Sequence, residues 1–285
     1  MNSSNNIILN RFFTRNIFMD LINGKENSLY NTCIKRFLDD DVSTINNDLL
    51  INKVYKYISK EYRNEYFFKN TLLNKLLLGR HSLNTTTALT EIPINKSKAD
   101  FILINGKAVA YEIKTGLDNL DRLESQINDY YKAFNHVSVI SCESNYEKLM
   151  EMFNDTKVGV SILTEKDTIS IKKKPVEDNS SLDYSVMFKI LRKNEFENII
   201  LSYYGYLPVT TQVAYYKECF KAFSKIDKGT VYKYFITELK KRTITENEEY
   251  KNVPYELKFL VYFSKFKKSD YSKLNRFLER QWRGQ

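Results

Sequence analysis

Glu112-Ile113-Lys114 ends an apolar segment, and Asp100 stands twelve residues before it in the stretch ADFILINGKAVAYEIKT. Two carboxylates and an ammonium group brought together by a β-hairpin could hold a divalent cation beside a phosphate. Glu112 and Lys114 are two apart on a strand and share a face, while Tyr111 and Ile113 point the other way. The turn at Asn105-Gly106 decides whether Asp100 joins them. A two-residue type I′ turn would pair Ile104 with Lys107 and put Asp100 opposite Tyr111, on the wrong face. A three-residue turn over 104–106, with Gly106 in the left-handed G1-bulge position, would pair Leu103 with Lys107. Asp100 then faces Ala110 and lies diagonal to Glu112, roughly 7–8 Å away at Cα. The bulged turn is the expectation.

Phosphodiester hydrolysis would give each residue a role. Asp100 and Glu112 would hold Mg²⁺ (or Mn²⁺), with the Ile113 carbonyl as a further oxygen ligand. Lys114 would orient a water or offset charge on the transition state. The competing reading is an ordinary cross-strand salt bridge at a sheet end. Glu65 falls in line with Phe68, Leu72 and Leu76 on a preceding helix, so a carboxylate continues an apolar stripe and calls for a partner. Glu91 is a second candidate outer ligand. Beyond the hairpin, Arg122, Gln126 and Tyr130 recur at four-residue steps. Arg122 and the helix N-terminus suit a phosphate, and Gln126 and Tyr130 could contact backbone or base.

The elements that must position these groups follow from periodicity. Residues 7–60 carry apolar positions at helical steps, and another helix over about 62–78 stops at Gly79. Strands are expected at 86–94, 99–104 and 107–115, then a helix at about 119–134 capped by Asp118. A strand at 137–141, a helix at 144–154 and strands near 158–163 and 168–173 complete an α-β-β-β-α-β-α-β-β order. KKKPVEDNSS (172–181) reads as a linker to a helical remainder. The resulting division is a helical region 1–60, an α/β core 61–174 and a helical, basic region 183–285.

Composition narrows the chemistry. With 285 residues, 42% apolar and 14% aromatic, the chain can bury a sizeable core. Only two histidines occur, His81 and His136, and the three cysteines are far apart, which disfavours zinc and His-based chemistry. The acidic run Asp39-Asp40-Asp41 reads as a helix connection. The odd cysteine count and the lack of a signal layout or a long apolar run point to a cytoplasmic protein with no membrane partner. Net charge is +9, and the segment from Lys258 onward has eight basic and two acidic residues, leaving +3 for the 257 residues before it. Such local basicity suits nucleic acid, with Tyr255, Phe259, Tyr262, Phe266 and Trp282 as an aromatic grip; a solvated helical face reads equally from the same residues.

Asp100, Glu112-Ile113-Lys114, Glu65 before them and Gln126-x-x-x-Tyr130 after them resemble the PD-(D/E)xK nuclease superfamily, the last element its RecB-like branch. The stretch TEIPINKSKADFILINGKAVAYEIKTGLDNLDRLESQINDYYKAF is similar to a family of small uncharacterised bacterial proteins in that superfamily. The resemblance covers about 62–142. It implies a restriction-endonuclease-like core, a mixed β-sheet flanked by helices, and Mg²⁺-dependent cleavage of nucleic acid. It also implies Asp100, Glu112 and Lys114 as catalytic set, Glu65 assisting, and Gln126 and Tyr130 near the substrate. Ala99 stands where the superfamily's proline would be, a position that supplies no ligand. The expected function is therefore a metal-dependent nuclease, acting on DNA before RNA. The alternatives are a nucleic-acid-binding adaptor on the same fold, or a nuclease subunit needing a protein partner or a second copy, as in mobile-element or phage-defence systems.

Overall fold

Asparagine starts three of the first five helices. The Asn27, Asn46 and Asn64 side chains accept backbone N–H groups of the following turn, which fixes where each helix begins. The computed structural model describes residues 3–38, 44–79, 85–242 and 248–282, with side chains from residue 6. Asp39-Asp40-Asp41, His81 and Arg283 lie outside the described residues. In chain order come α1 (Ser3–Phe12), α2 (Arg15–Ile22), α3 (Ser28–Phe37), α4 (Asn47–Glu61) and α5 (Glu65–Leu72), which continues as a π-helical turn. Then follow β1 (Thr87–Ile94), β2 (Ser97–Asn105), β3 (Lys107–Lys114), α6 (Leu123–Tyr130), β4 (Val137–Ser141), α7 (Tyr146–Phe153), β5 (Gly159–Leu163) and β6 (Ile169–Lys173). The remainder is helical: α8 (Tyr184–Ile190), α9 (Lys193–Tyr204), α10 (Gln212–Lys225), α11 (Lys228–Lys240), α12 (Glu248–Lys251), α13 (Lys258–Ser264) and α14 (Lys268–Glu279).

The chain forms two compact units, one of residues 1–80 with 244–285, the other of 81–243. The units cut across the expected segments 1–60, 61–174 and 183–285. In the first unit the two ends of the chain share one core. Asn47 donates from Nδ2 to the carbonyls of Phe277 (3.0 Å) and Arg280 (2.8 Å), and the Trp282 N–H reaches the Ile45 carbonyl. Phe13 stacks on Tyr66 at 4.4 Å, and Tyr66 meets Phe259 edge-on.

That core accounts for most of the expected aromatic grip. Phe259, Tyr262 and Trp282 are buried, and Phe266 stacks on Phe18. They are spent on packing, and only Tyr255 of the five is exposed. The cations Lys265, Lys267, Lys268, Arg276 and Arg280 remain exposed.

The second unit is a six-stranded mixed sheet in the order β1-β2-β3-β4-β5-β6, flanked by helices. β1, β2 and β3 pair antiparallel, β3-β4-β5 parallel through α6 and α7, and β5-β6 antiparallel. Its core runs from Ile102, Ala110 and Val139 of the sheet to Phe188, Phe223 and Phe235 of the later helices. The expected linker 172–181 is no hinge. Val176 N–H bonds the Lys157 carbonyl and Asp178 N–H the Asn135 carbonyl, which lays this segment along the sheet unit. Among the described residues, no helix is long and apolar enough to cross a membrane.

The hairpin register differs from both turns considered. Asn105 stands opposite Lys107 and Phe101 opposite Tyr111, with Gly106 at the tip at φ +69°. One step past the last pair, Asp100 comes opposite Glu112 rather than Ala110. The left-handed tip is what permits this register, so Gly106→Ala is expected to cost about 1–2 kcal/mol, read as a lower urea midpoint.

Candidate functional site

β1 and β2 pair at Thr90–Phe101 and again at Ile92–Ala99. Between those pairs Glu91, at φ +56°, stands opposite Asp100. Glu91, Asp100 and Glu112 therefore occupy matching positions on three adjacent strands. Carboxylate oxygens of Glu91 and Asp100 lie within 4.8 Å of each other. Asp100 Oδ2 accepts the Ile113 backbone N–H at 2.9 Å, so a side chain takes up the ladder where strand pairing stops. Ile113 itself is buried, and Glu91 is ion-paired with Lys98.

Glu112 is only 2% exposed, and each of its oxygens has a partner. Oε1 lies 3.0 Å from the Lys114 ammonium, and Oε2 accepts from the Tyr130 hydroxyl. The Lys114 ammonium also donates to Gln126 Oε1 at 2.9 Å. Alternation along β3 thus puts Glu112 and Lys114 on one face, and α6 covers that face. Behind Lys114, the Ser141 hydroxyl of β4 bonds its carbonyl at 2.5 Å, which fixes the strand end.

Three side chains on one face of α6 bind it to the sheet. Gln126 holds Lys114, and Tyr130 lies within reach of Glu112 Oε2 and of the Lys98 carbonyl (2.7 Å). Asp129 accepts from Asn95 Nδ2 (2.6 Å), Ser97 Oγ (2.8 Å) and Lys132 Nζ (2.8 Å), pinning the β1–β2 turn. Burial would raise the Asp129 carboxyl, but those three donors outweigh it and the net shift is downward. Asp129, Ser141 and Lys98 were not singled out from the sequence. Asp129 had one legible signal, an acid three residues after Gln126 on the same helical face.

The Tyr130 ring is 0% exposed, so it faces the carboxylate and not a surface. Burial above all, then the adjacent Glu112 carboxylate, raises its hydroxyl well above the ordinary range and keeps it protonated. Tyr130→Phe removes one of Glu112's donors at a buried position. The expected loss is about 1–3 kcal/mol of stability, measured by urea denaturation.

Two helices begin later than expected. Glu65 does not continue the buried stripe. Asn64 caps α5, so Glu65 falls in its exposed first turn and pairs with Lys69 at 2.5 Å. Asp118 does not cap α6, because its Oδ2 accepts from the backbone N–H and hydroxyl of Thr115. α6 begins at Leu123, with Arg122 exposed just before it.

A groove of about 530 Å³ runs beside the cluster. Asp100 and Gln126 form part of its wall together with Lys96, Lys98, Arg122 and Lys132. Against Asp100 and Asp129, also in the wall, four cations leave it net positive.

The donor set suits a hard divalent cation. It is made of carboxylate oxygens, with no thiolate or imidazole among the residues described at the cluster. Glu112 has one partner on each oxygen, and a carboxylate offers about four lone-pair sites, so it retains acceptor capacity.

The family described as Bacteriophage P4 protein cII matches residues 58–258, which is more than half of the chain. Protein cII of Enterobacteria phage P4 is 24% identical over 172 residues, 58% of this chain and 63% of that protein. The match therefore spans less than two thirds of that relative's length. No solved structure matches the chain.

Proposed function

The chain belongs to the bacteriophage P4 protein cII family, and from that premise we propose that it is a metal-dependent nuclease hydrolysing phosphodiester bonds, in DNA before RNA. The family name carries no chemistry of its own. The observation that carries the reading is the Lys114 ammonium, held 3.0 Å from Glu112 and 2.9 Å from Gln126 beside the Glu91-Asp100-Glu112 row. The strand order β1-β2-β3-α6-β4 and the motif residues on it agree with a restriction-endonuclease-like core, which supports the resemblance to the PD-(D/E)xK superfamily.

Asp100 and Glu112, with Glu91 beside them and the Ile113 carbonyl as a further oxygen, would hold Mg²⁺ or Mn²⁺. Bound there, the cation would supply a polarised phosphate and a water of lowered pKa. The chain's own groups do the rest. Lys114 places a fixed positive charge where the phosphate gains negative charge, at no cost of reorganisation. Gln126 keeps that ammonium aimed, and Tyr130 keeps Glu112 oriented. The net-positive groove with Lys96 and Arg122 would seat the neighbouring phosphates, so binding should weaken as salt rises.

The test is cleavage of labelled single- and double-stranded DNA and RNA with Mg²⁺. Wild type should cut at least one DNA substrate, and Asp100→Ala should abolish cutting. Equal activity in the two proteins would end the assignment.

One observation favours a second reading, a nucleic-acid-binding adaptor. Both Glu112 oxygens already have partners from the chain itself, so Glu112 needs no metal to be satisfied. Salt-sensitive binding with no cleavage of any substrate, alone or with a partner protein, would favour that reading.

A further inference from the structure

The segment from Lys258 onward, with eight basic and two acidic residues, carries +6 of the net +9, and the nuclease reading leaves it unused. Lys273, Arg276 and Arg280 follow at steps of three and four along α14, so they share one face over roughly 10 Å of helix axis. All three line a groove of about 530 Å³ between α14 and the turn that follows α2, and no acid stands in its wall. Lys273 is steadied by Asn23 Oδ1 at 2.8 Å, with Asp270 farther off at 3.9 Å. Arg276 and Arg280 are exposed, and among the described residues neither has an ion-pair partner. Cations at a helix C-terminus also complement its dipole. That explains Arg276 and Arg280 but neither Lys273 nor the acid-free groove.

A second cavity, of about 310 Å³, adjoins the groove: Leu21, Gly24, Phe277 and Arg280 belong to both walls. Its chemistry differs. Asn27, Asn31, Tyr30 and Trp282 line it together with one acid, Glu26. Lys25, also in the wall, is paired with Asp20 at 3.3 Å. Asn27 Oδ1 accepts the Leu29 and Tyr30 N–H groups, while its Nδ2 has no partner among the described residues. The Trp282 indole N–H donates to Asn31 Oδ1 at 2.9 Å, which holds both side chains in place. The volume lies at the small end of the range for ligand sites.

We propose that this surface of the first unit binds a single strand of nucleic acid, with phosphates along Lys273, Arg276 and Arg280 and one unpaired base in the adjoining cavity. The separation of charge sets that orientation. A row of cations spread along a helix fits a chain of phosphates rather than one small anion. Glu26 repels phosphate from the cavity, yet its carboxylate can accept from the amino group of a base. Asn27 adds a donor, so the cavity matches the mixed donors and acceptors of a base edge. A base paired in a duplex would first have to leave its stack to enter, which selects the single strand.

The inference concerns a second surface and does not rest on the nuclease reading, because its test is run in EDTA, where no Mg²⁺-dependent cleavage occurs. Trp282 is the only tryptophan in the chain, so its emission reports from the cavity itself. Titrating the full chain with an unlabelled strand of about ten nucleotides should change that emission saturably. DNA and RNA strands of one sequence are both titrated, and the tighter identifies the preferred ligand. An abasic strand keeps the phosphates and loses the bases, and a duplex hides them, so each should bind about tenfold more weakly or worse. Arg276→Gln and Arg280→Gln should each weaken binding several-fold and reduce the salt slope by about 0.7, with the circular dichroism spectrum unchanged. Trp282 emission unmoved by every strand would overturn the proposal. So would an abasic strand or a duplex that binds as tightly as the intact single strand, or folded arginine variants that bind like wild type.

Discussion

In a Lys114→Met variant, Mg²⁺-dependent cleavage of DNA is expected to fall by about 10²–10³-fold, and the folded state to lose about 3–5 kcal/mol. Both effects have one origin. The ammonium lies 3.0 Å from Glu112 Oε1 and 2.9 Å from Gln126 Oε1, so it serves a buried carboxylate and aims a charge at the site. In the proposed nuclease its removal would take away transition-state stabilisation, and it leaves Glu112, only 2% exposed, with Tyr130 as its one donor. The double variant Glu112→Gln/Lys114→Met separates the two. It carries no unpaired buried charge, so stability should recover by most of the loss while cleavage should not. Urea denaturation and the DNA assay read the two outcomes independently. Full cleavage by the single variant would remove Lys114 from the chemistry.

Arg242→Met is expected to have the largest effect on folding away from the site, again about 3–5 kcal/mol. Its guanidinium grips Glu195 through Nε on Oε1 (2.7 Å) and Nη2 on Oε2 (2.5 Å), and donates to the Ile190 carbonyl at 2.8 Å. Glu195 is buried and also accepts the Arg192 N–H, closing the first turn of α9. Burial pushes the Glu195 carboxyl up, but the Arg242 guanidinium and the Arg192 N–H more than offset it, and its pKa is lowered from the ordinary 4.5. A carboxyl whose folded pKa lies below its unfolded value contributes fully above the unfolded value and loses that contribution as pH falls through the folded one. The stability gap between wild type and Arg242→Met should therefore be complete at neutral pH and narrow on acidification below about 4.5. A gap that widens with acid would contradict the ion-pair account.

The strand sequence was legible because alternation and short apolar runs report directly on a sheet. All six strands and their order relative to α6 and α7 follow from that pattern. The register was not legible. Asn105-Gly106 allows several tips, and a one-residue choice among them moves Asp100 from Ala110 to Glu112. Similar limits apply to the helices. The four-residue step from Gln126 to Tyr130 placed both on one face, but only the packing of α6 shows that this face meets Lys114 and Glu112. The stripe through Glu65 suggested a buried acid, whereas Asn64 caps α5 and leaves that acid in the exposed first turn. At the C-terminus, aromatic spacing looked the same for a grip and for a core. What decides it is the distant N-terminal helices, which no local pattern contains.

The two ends of the chain meeting in one unit has a consequence in time. Asn47 finds its carbonyl partners in Phe277 and Arg280, 230 and 233 residues later. At about 5–20 residues per second, synthesis separates those partners by roughly ten to fifty seconds. The first four helices can pack on one another in that interval but lack the α13 and α14 side of their core, while the residues of the sheet unit are contiguous and need no later segment. A released chain truncated near residue 243 should then protect its strands from protease and leave its N-terminal helices more open to it.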